Sequence, residues 1–225
     1  MKNIRTNNVF WLLVIMLLGV LVAGGTYAYL VLAPSVTNGN YSGVTECFQI
    51  NYSINNDNGT QDISGTLFPS AVPSKGLFGK VSINVNQNCS VTGTGTLKLR
   101  INSGTSSNLL KTVAGHCEKS ATLETLDDYN SSSDCTSAGG VWVTSGTGLK
   151  YAVYTNNSAT GNPVSKGYIT SSSIGSDLVL YDGFNVSGTQ QNYYLFIWLD
   201  GYITDNTYTN LPFSGYVHAS VVQND

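Results

Sequence analysis

The residues with chemistry to offer are few: two histidines, His116 and His218, four cysteines, and the acidic steps Asp182-Gly183 and Asp200-Gly201 with Asp205 nearby. Hydrolysis needs a nucleophile with a base and an orienting group, or a metal with three protein ligands. His116 directly precedes a cysteine, and His218 sits in an alternating run opposite Val217, Ala219 and Val221, so both read as surface histidines. No His-Glu-x-x-His, Gly-x-Ser-x-Gly or phosphate-cradling sequence occurs. Asp-Gly is first a turn signal, and the spacing of an EF-hand calcium loop is absent. The chain therefore reads as a non-enzyme, with no catalytic residue, metal site or cofactor singled out.

The cysteines carry a different chemistry. Zinc binding calls for closely spaced pairs such as Cys-x-x-Cys, and Cys47, Cys89, Cys117 and Cys135 offer none. An even number behind an export signal points to two disulfides. Three connectivities are open. Cys117 with Cys135 is preferred, because the Asp-, Asn- and Ser-rich stretch between them gains order on closure, worth about 3 kcal/mol in the loop-entropy picture. That leaves Cys47 with Cys89.

The export signal lies at the N-terminus. Lys2 and Arg5 precede an uncharged stretch, Val9 to Ala33, that contains Gly24-Gly25-Thr26-Tyr27-Ala28. A basic start, an apolar run and small residues for a signal peptidase make a leader cut near Ala28 or Tyr29. The same stretch also suffices to span a bilayer, which takes roughly 20 residues, so a retained single-pass anchor with its N-terminus inside is the alternative. Either way the remainder faces outward, at the cell surface or beyond it. Once Lys2 and Arg5 leave with the leader, 8 basic residues stand against 13 acidic ones, a net of −5, which disfavours nucleic acid as a partner.

The elements that must position these residues are strands. Val44 to Tyr52, Ile63 to Phe68 and Lys80 to Asn86 read as strands, the last with Val81, Ile83 and Val85 on one face and Lys80, Ser82 and Asn84 on the other. Leu97, Leu99 and Ile101 oppose Lys98 and Arg100 in the same way. Leu149 to Thr155, Ser165 to Thr170, Asp177 to Tyr181 and Phe213 to Gln223 follow. Tyr193 to Leu199 is apolar on both faces and is expected to be a central strand covered on both sides. Short strands between Gly-, Asn- and Asp-rich turns argue an all-β fold, a jelly-roll-like β-sandwich preceded by one hydrophobic N-terminal helix. The division is 1–29 signal or anchor, 30–43 linker or donor segment, and 44–225 sandwich, interrupted by a disulfide-closed insert at about 115–148. Within the insert, Leu123 to Leu126 is expected to form one helical turn, and Trp142 to pack on the bridge. Cys135-x3-Gly139-Gly140-x-Trp142 resembles the ends of small Cys-loop inserts in bacterial surface proteins.

Both ends of the chain carry a further resemblance. Ala23-Gly24-Gly25-Thr26-Tyr27-Ala28-Tyr29 is similar to the signal region of TasA-like proteins, which a dedicated SipW-type peptidase cuts. Tyr193 to Leu199, the turn Thr204 to Asn210, and Phe213-Ser214-Gly215-Tyr216 through Gln223 resemble that family's closing strands. Leader and tail cover about a quarter of the chain. The resemblance implies a subunit of an extracellular biofilm-matrix fibre that assembles with copies of itself or related matrix proteins. Assembly would proceed by donating an N-terminal strand, here Leu30-Val31-Leu32-Ala33, into a neighbour's sheet. The family shows a polar residue soon after the aromatic, where this chain continues Leu-Val-Leu-Ala, which keeps the membrane anchor in view. The alternative function is a membrane-anchored carbohydrate- or host-binding surface module, since fourteen tyrosines offer rings for sugar stacking.

Overall fold

A computed structural model describes residues 47–54, 57–202 and 211–224. The cleavage positions Ala28 and Tyr29, the donor segment Leu30, Val31, Leu32 and Ala33, the N-terminal apolar stretch and the turn Thr204 to Asn210 lie outside the described residues. Among the described residues no helix is long and apolar enough to cross a membrane.

The chain is all-β. In order it forms β1 (Phe48–Ile54), β2 (Asp57–Asn58), β3 (Gly65–Leu67), β4 (Pro69–Ser70), β5 (Leu77–Val85), β6 (Gly93–Ile101), β7 (His116–Lys119), a short helix α1 (Ser132–Ser137), β8 (Gly140–Val143), β9 (Leu149–Tyr154), β10 (Ser165–Tyr168), β11 (Asp177–Val186), β12 (Gln191–Asp200), β13 (Leu211–Phe213) and β14 (Gly215–Gln223). The larger sheet runs β10-β9-β12-β5-β1-β2, with β4 added parallel to the end of β12, and the smaller runs β11-β6-β14. Neighbours along both paths are antiparallel.

Period-two alternation explains why the sheets face one another. Val81 and Ile83 of β5 and Leu97, Leu99 and Ile101 of β6 are fully buried in one shared cluster, while Arg100 is exposed. Phe48, Ile50, Tyr52 and Ile54 from β1, Leu180, Phe184 and Val186 from β11 and Val217 from β14 complete that core. Burying a side chain of this size contributes about 1.5–3 kcal/mol. Strand β12 sits between β5 and β9 and is covered on both faces, as its composition predicts. Tyr193, Leu195, Ile197 and Leu199 enter the inter-sheet core; Phe196 and Trp198 join Ala152, Tyr154 and Ala159 in a second cluster on the opposite face.

Both disulfides form as expected. Cys47 is bonded to Cys89 and Cys117 to Cys135, each with Cα atoms 5.5 Å apart. Such bonds belong to an extracellular or otherwise oxidising environment. The second closes the insert, in which β7 and β8 form a hairpin that places Trp142 directly across from Cys117. The residue pressed against the bridge is Gly140, where an added Cβ would lie 2.6 Å from the Cys117 sulfur and 2.9 Å from that of Cys135.

Two local expectations are corrected. Asp182-Gly183 is no turn: it lies inside β11 at a register shift against β6, with Gly183 at φ +72°, so the glycine serves a β-bulge instead of a hairpin. Leu123 to Leu126 is not helical. Leu123 has φ +60°, and Thr125 bridges back to Glu118 as an extension of the β7 hairpin. The insert's helix begins after Ser131, whose hydroxyl accepts the Asp134 N–H at 3.2 Å as an N-cap.

Candidate functional site

Four ionisable side chains meet under the insert, on the outer face of the larger sheet. His116 and Glu118 come from β7, two residues apart and therefore on the same side of that strand. Lys150 comes from β9 and Asp200 from the end of β12. Lys150 lies across from Trp198 in the ladder, which puts Asp200 on the same face one diagonal step away. All four side chains are at most 2% exposed.

Their contacts are close. The Lys150 Nζ lies 2.6 Å from Glu118 Oε1 and 2.7 Å from Asp200 Oδ2, and donates to the Leu123 carbonyl at 3.0 Å. The His116 Nε2 lies 2.7 Å from both Glu118 Oε1 and Asp200 Oδ2. The far oxygens are also held. Asp200 Oδ1 accepts from the Thr125 hydroxyl at 2.7 Å and the Tyr202 N–H at 2.9 Å, and Glu118 Oε2 accepts from the Tyr168 hydroxyl at 2.6 Å. Oδ2 of Asp200 is buried and meets its two cations without the alignment of a hydrogen bond. The ring of Tyr202 stacks on the imidazole with centroids 5.1 Å apart.

Two cations facing two carboxylates make a neutral group, the arrangement under which buried charge is tolerated. Burial works against the charge on His116, but Asp200 and Glu118 outweigh it and push the imidazolium up to about 9. Burial alone would raise the Asp200 carboxyl; His116, Lys150 and the Tyr202 N–H reverse that and hold it well below the usual carboxylate range. For Tyr168, burial and the adjoining carboxylate of Glu118 both raise the phenol.

His116, Glu118 and Asp200 present ligand atoms within 4.8 Å of one another, a set able to hold a metal ion. The Lys150 ammonium stands between the two carboxylates where such an ion would go. A metal would have to expel a fully buried lysine and leave its charge unpaired, at a cost of several kcal/mol. The cation built into this site is the lysine.

The expectation for His116 is overturned: it is 2% exposed and paired with two carboxylates, because the insert folds back and turns β7 inward. Asp200, an acidic candidate in the sequence, joins the cluster, whereas Asp182 is exposed and accepts from Thr96. His218 is partly exposed and lies 3.4 Å from Asp177. Glu118, Lys150 and Tyr168 escape notice in the sequence. The available signal was Lys150 itself, a charge in a strand where every residue is buried.

No family model matches this chain, and neither a curated protein nor a solved structure does.

Proposed function

We propose that this chain is an exported structural protein of the cell surface or extracellular matrix, a jelly-roll-like sandwich that assembles into fibres by donating its apolar N-terminal segment to a neighbour. The observation that carries this reading is the inward orientation of its chemistry. Among the described residues, His116, Glu118, Lys150 and Asp200 are buried together and join the insert to the larger sheet, which suits a durable scaffold. The two disulfides point the same way.

Strand donation needs an edge to receive it, and β14 offers one. Its inner side pairs with β6 throughout. On its outer side the Ile63 N–H bonds the Gly215 carbonyl, the Val217 N–H bonds the Gln61 carbonyl, and the Tyr52 hydroxyl accepts the Ala219 N–H. From Ser220 to Gln223 no further ladder partner lies on that side among the described residues, and Val222 is 69% exposed. Such an edge can add a strand through main-chain hydrogen bonds.

The test compares the exported chain with a Leu30→Asp/Leu32→Asp variant by negative-stain imaging. Fibres from the parent and single particles from the variant are expected, since charges on the donated segment oppose its burial against a neighbour's sheet. Fibres that persist unchanged in the variant rule out donation by this segment.

A second reading, a surface module for carbohydrate, rests on a shallow concavity of about 480 Å³ lined by Gln49, Asn84, Asn86, Gln87, Asn88 and Gln190. Amides of this kind hydrogen-bond sugar hydroxyls. The concavity contains no aromatic ring on which a sugar would stack, so the structural reading is preferred. Glycan-array binding by a parent chain that forms no fibres would reverse that order.

A further inference from the structure

We propose that Lys150 and Asp200 condense inside the folded protein to an amide between Nζ and Cγ, a covalent cross-link between β9 and β12 made by the protein's own side chains. The inference is independent of whether the chain forms fibres.

Each group that such a reaction requires is in place. The nucleophile, Lys150 Nζ, lies 2.6 Å from a base, Glu118 Oε1, and 2.7 Å from the carboxyl it must attack. The oxygen that stays as the amide carbonyl, Asp200 Oδ1, is held by two donors, the Thr125 hydroxyl and the Tyr202 N–H. Those donors are aimed where negative charge develops during attack. The oxygen that leaves, Oδ2, faces an acid, His116 Nε2, at 2.7 Å. Glu118 is equally close to the amine, but its Oε2 has a single donor, Tyr168, so Asp200 is the better electrophile.

The reactive protonation state is reached by proton shifts inside the site. Lysine as ammonium and aspartate as carboxylate do not react, whereas the neutral amine and neutral acid do. Two proton shifts, Lys150 Nζ to Glu118 Oε1 over 2.6 Å and His116 Nε2 to Asp200 Oδ2 over 2.7 Å once the imidazole N–H turns from its bond to Glu118 Oε1, convert four charged groups into four neutral ones without exchange with solvent. Burial works towards the neutral forms of His116 and Asp200, against the pairing that holds both charged, so the neutral set is a minor state from which the reaction proceeds.

The amine lone pair then forms the Nζ–Cγ bond, and the carbonyl π pair moves to Oδ1. The nitrogen passes one hydrogen, by way of the Glu118 carboxyl, to the Oδ2 hydroxyl. The Cγ–Oδ2 bond breaks with its electron pair, and Oδ2 departs as water while the carbonyl re-forms. Glu118 returns its proton to His116. The products are one amide and one water, with His116 and Glu118 as they began. Fixed neighbours on adjacent strands supply the proximity that makes an amide condensation feasible, where effective concentrations reach about 10⁵ M or more.

The full exported chain is to be weighed intact after reduction and denaturation, and then mapped with trypsin. The expected result is a mass lower by one water, with no cleavage after Lys150 and a branched peptide containing Lys150 and Asp200. Lys150→Arg and Asp200→Ala should restore the uncondensed mass. Glu118→Gln should slow bond formation about 100-fold through loss of the base. Thr125→Val, which keeps the shape of the side chain while removing one oxyanion donor, should slow it by about the same factor and serves if the glutamine variant does not fold. A parent chain that keeps its full mass after prolonged incubation, with Lys150 open to trypsin, overturns the proposal. So does a lost water that persists in Lys150→Arg or maps to Glu118.

Discussion

Leu195 and Ile197 on one face of β12, and Phe196, Trp198 and Asp200 on the other, alternate along a single strand, yet the two faces are held by different physics. The inner face meets the smaller sheet through side chains from β6, β11 and β14, with those of β1 and β5 beside it in the same core. That attraction is non-directional and grows with area, and it tolerates changes that keep volume and polarity. The outer face meets the insert through a small aromatic cluster and through His116, Glu118, Lys150 and Asp200, each of which depends on a named partner at a fixed distance. Removing a methyl group from the first weakens it by degrees; removing one charge from the second strands the others in a dry site.

Against the chain in which Lys150 and Asp200 are still ionic, Asp200→Ala is therefore expected to have the largest effect of any single truncation, about 3–5 kcal/mol, because Lys150 and His116 then share one carboxylate between two buried cations. Urea unfolding followed by far-UV circular dichroism measures it. Replacing both members at once, Lys150→Met with Asp200→Leu, should recover most of that loss, since His116 and Glu118 remain balanced. A double variant no more stable than Asp200→Ala would mean that the outer face is not governed by charge balance. Leu195→Ala probes the inner face and should cost about 3 kcal/mol through lost burial and a cavity. Amide exchange should report that loss across both sheets and leave the protection of β7 and β8 relative to them unchanged.

The smallest effect is a pH dependence confined to the outer face. His116 titrates higher in the folded chain than its ordinary value of about 6.5. Its contribution is thus complete below about pH 6.5 and is lost as pH rises through about 9. The groups around it are Glu118, Asp200, Lys150 and the ring of Tyr202. Thermal melts between those limits should fall for the parent and stay flat for His116→Gln. Condensation of Lys150 with Asp200 removes one of the two carboxylates, so in the cross-linked chain the fall should begin at lower pH.

The inner face was legible in the sequence and the outer face was not, for the same reason. Alternation at Val81, Ile83 and Val85, or at Leu97, Leu99 and Ile101, is a local pattern that states its own burial. The double-sided run Tyr193 to Leu199 even announced that something must cover its far side. What covers it is assembled from residues 116, 118, 125, 150 and 200, which no local period connects. His116 beside a disulfide cysteine looks like a surface residue until the hairpin turns it inward, and Asp200-Gly201 opens the turn it announces while giving no sign of the partners its carboxylate acquires. The Cys117–Cys135 pairing was readable because loop closure is itself a property of sequence separation. The bulge at Gly183 was missed because Asp-Gly is the same signal in a hairpin and in a bulged strand.

The Cys47–Cys89 bond has a mechanical consequence. Cys47 directly precedes β1, and its carbonyl accepts the Asn86 N–H just after β5. Tension applied to the chain ahead of Cys47 reaches Cys89 through sulfur before it can peel β1 from β5 one hydrogen bond at a time. Load enters the domain at the segment joining β5 and β6, the strands that belong to opposite sheets, so a pull on the N-terminal side is shared by both layers at once.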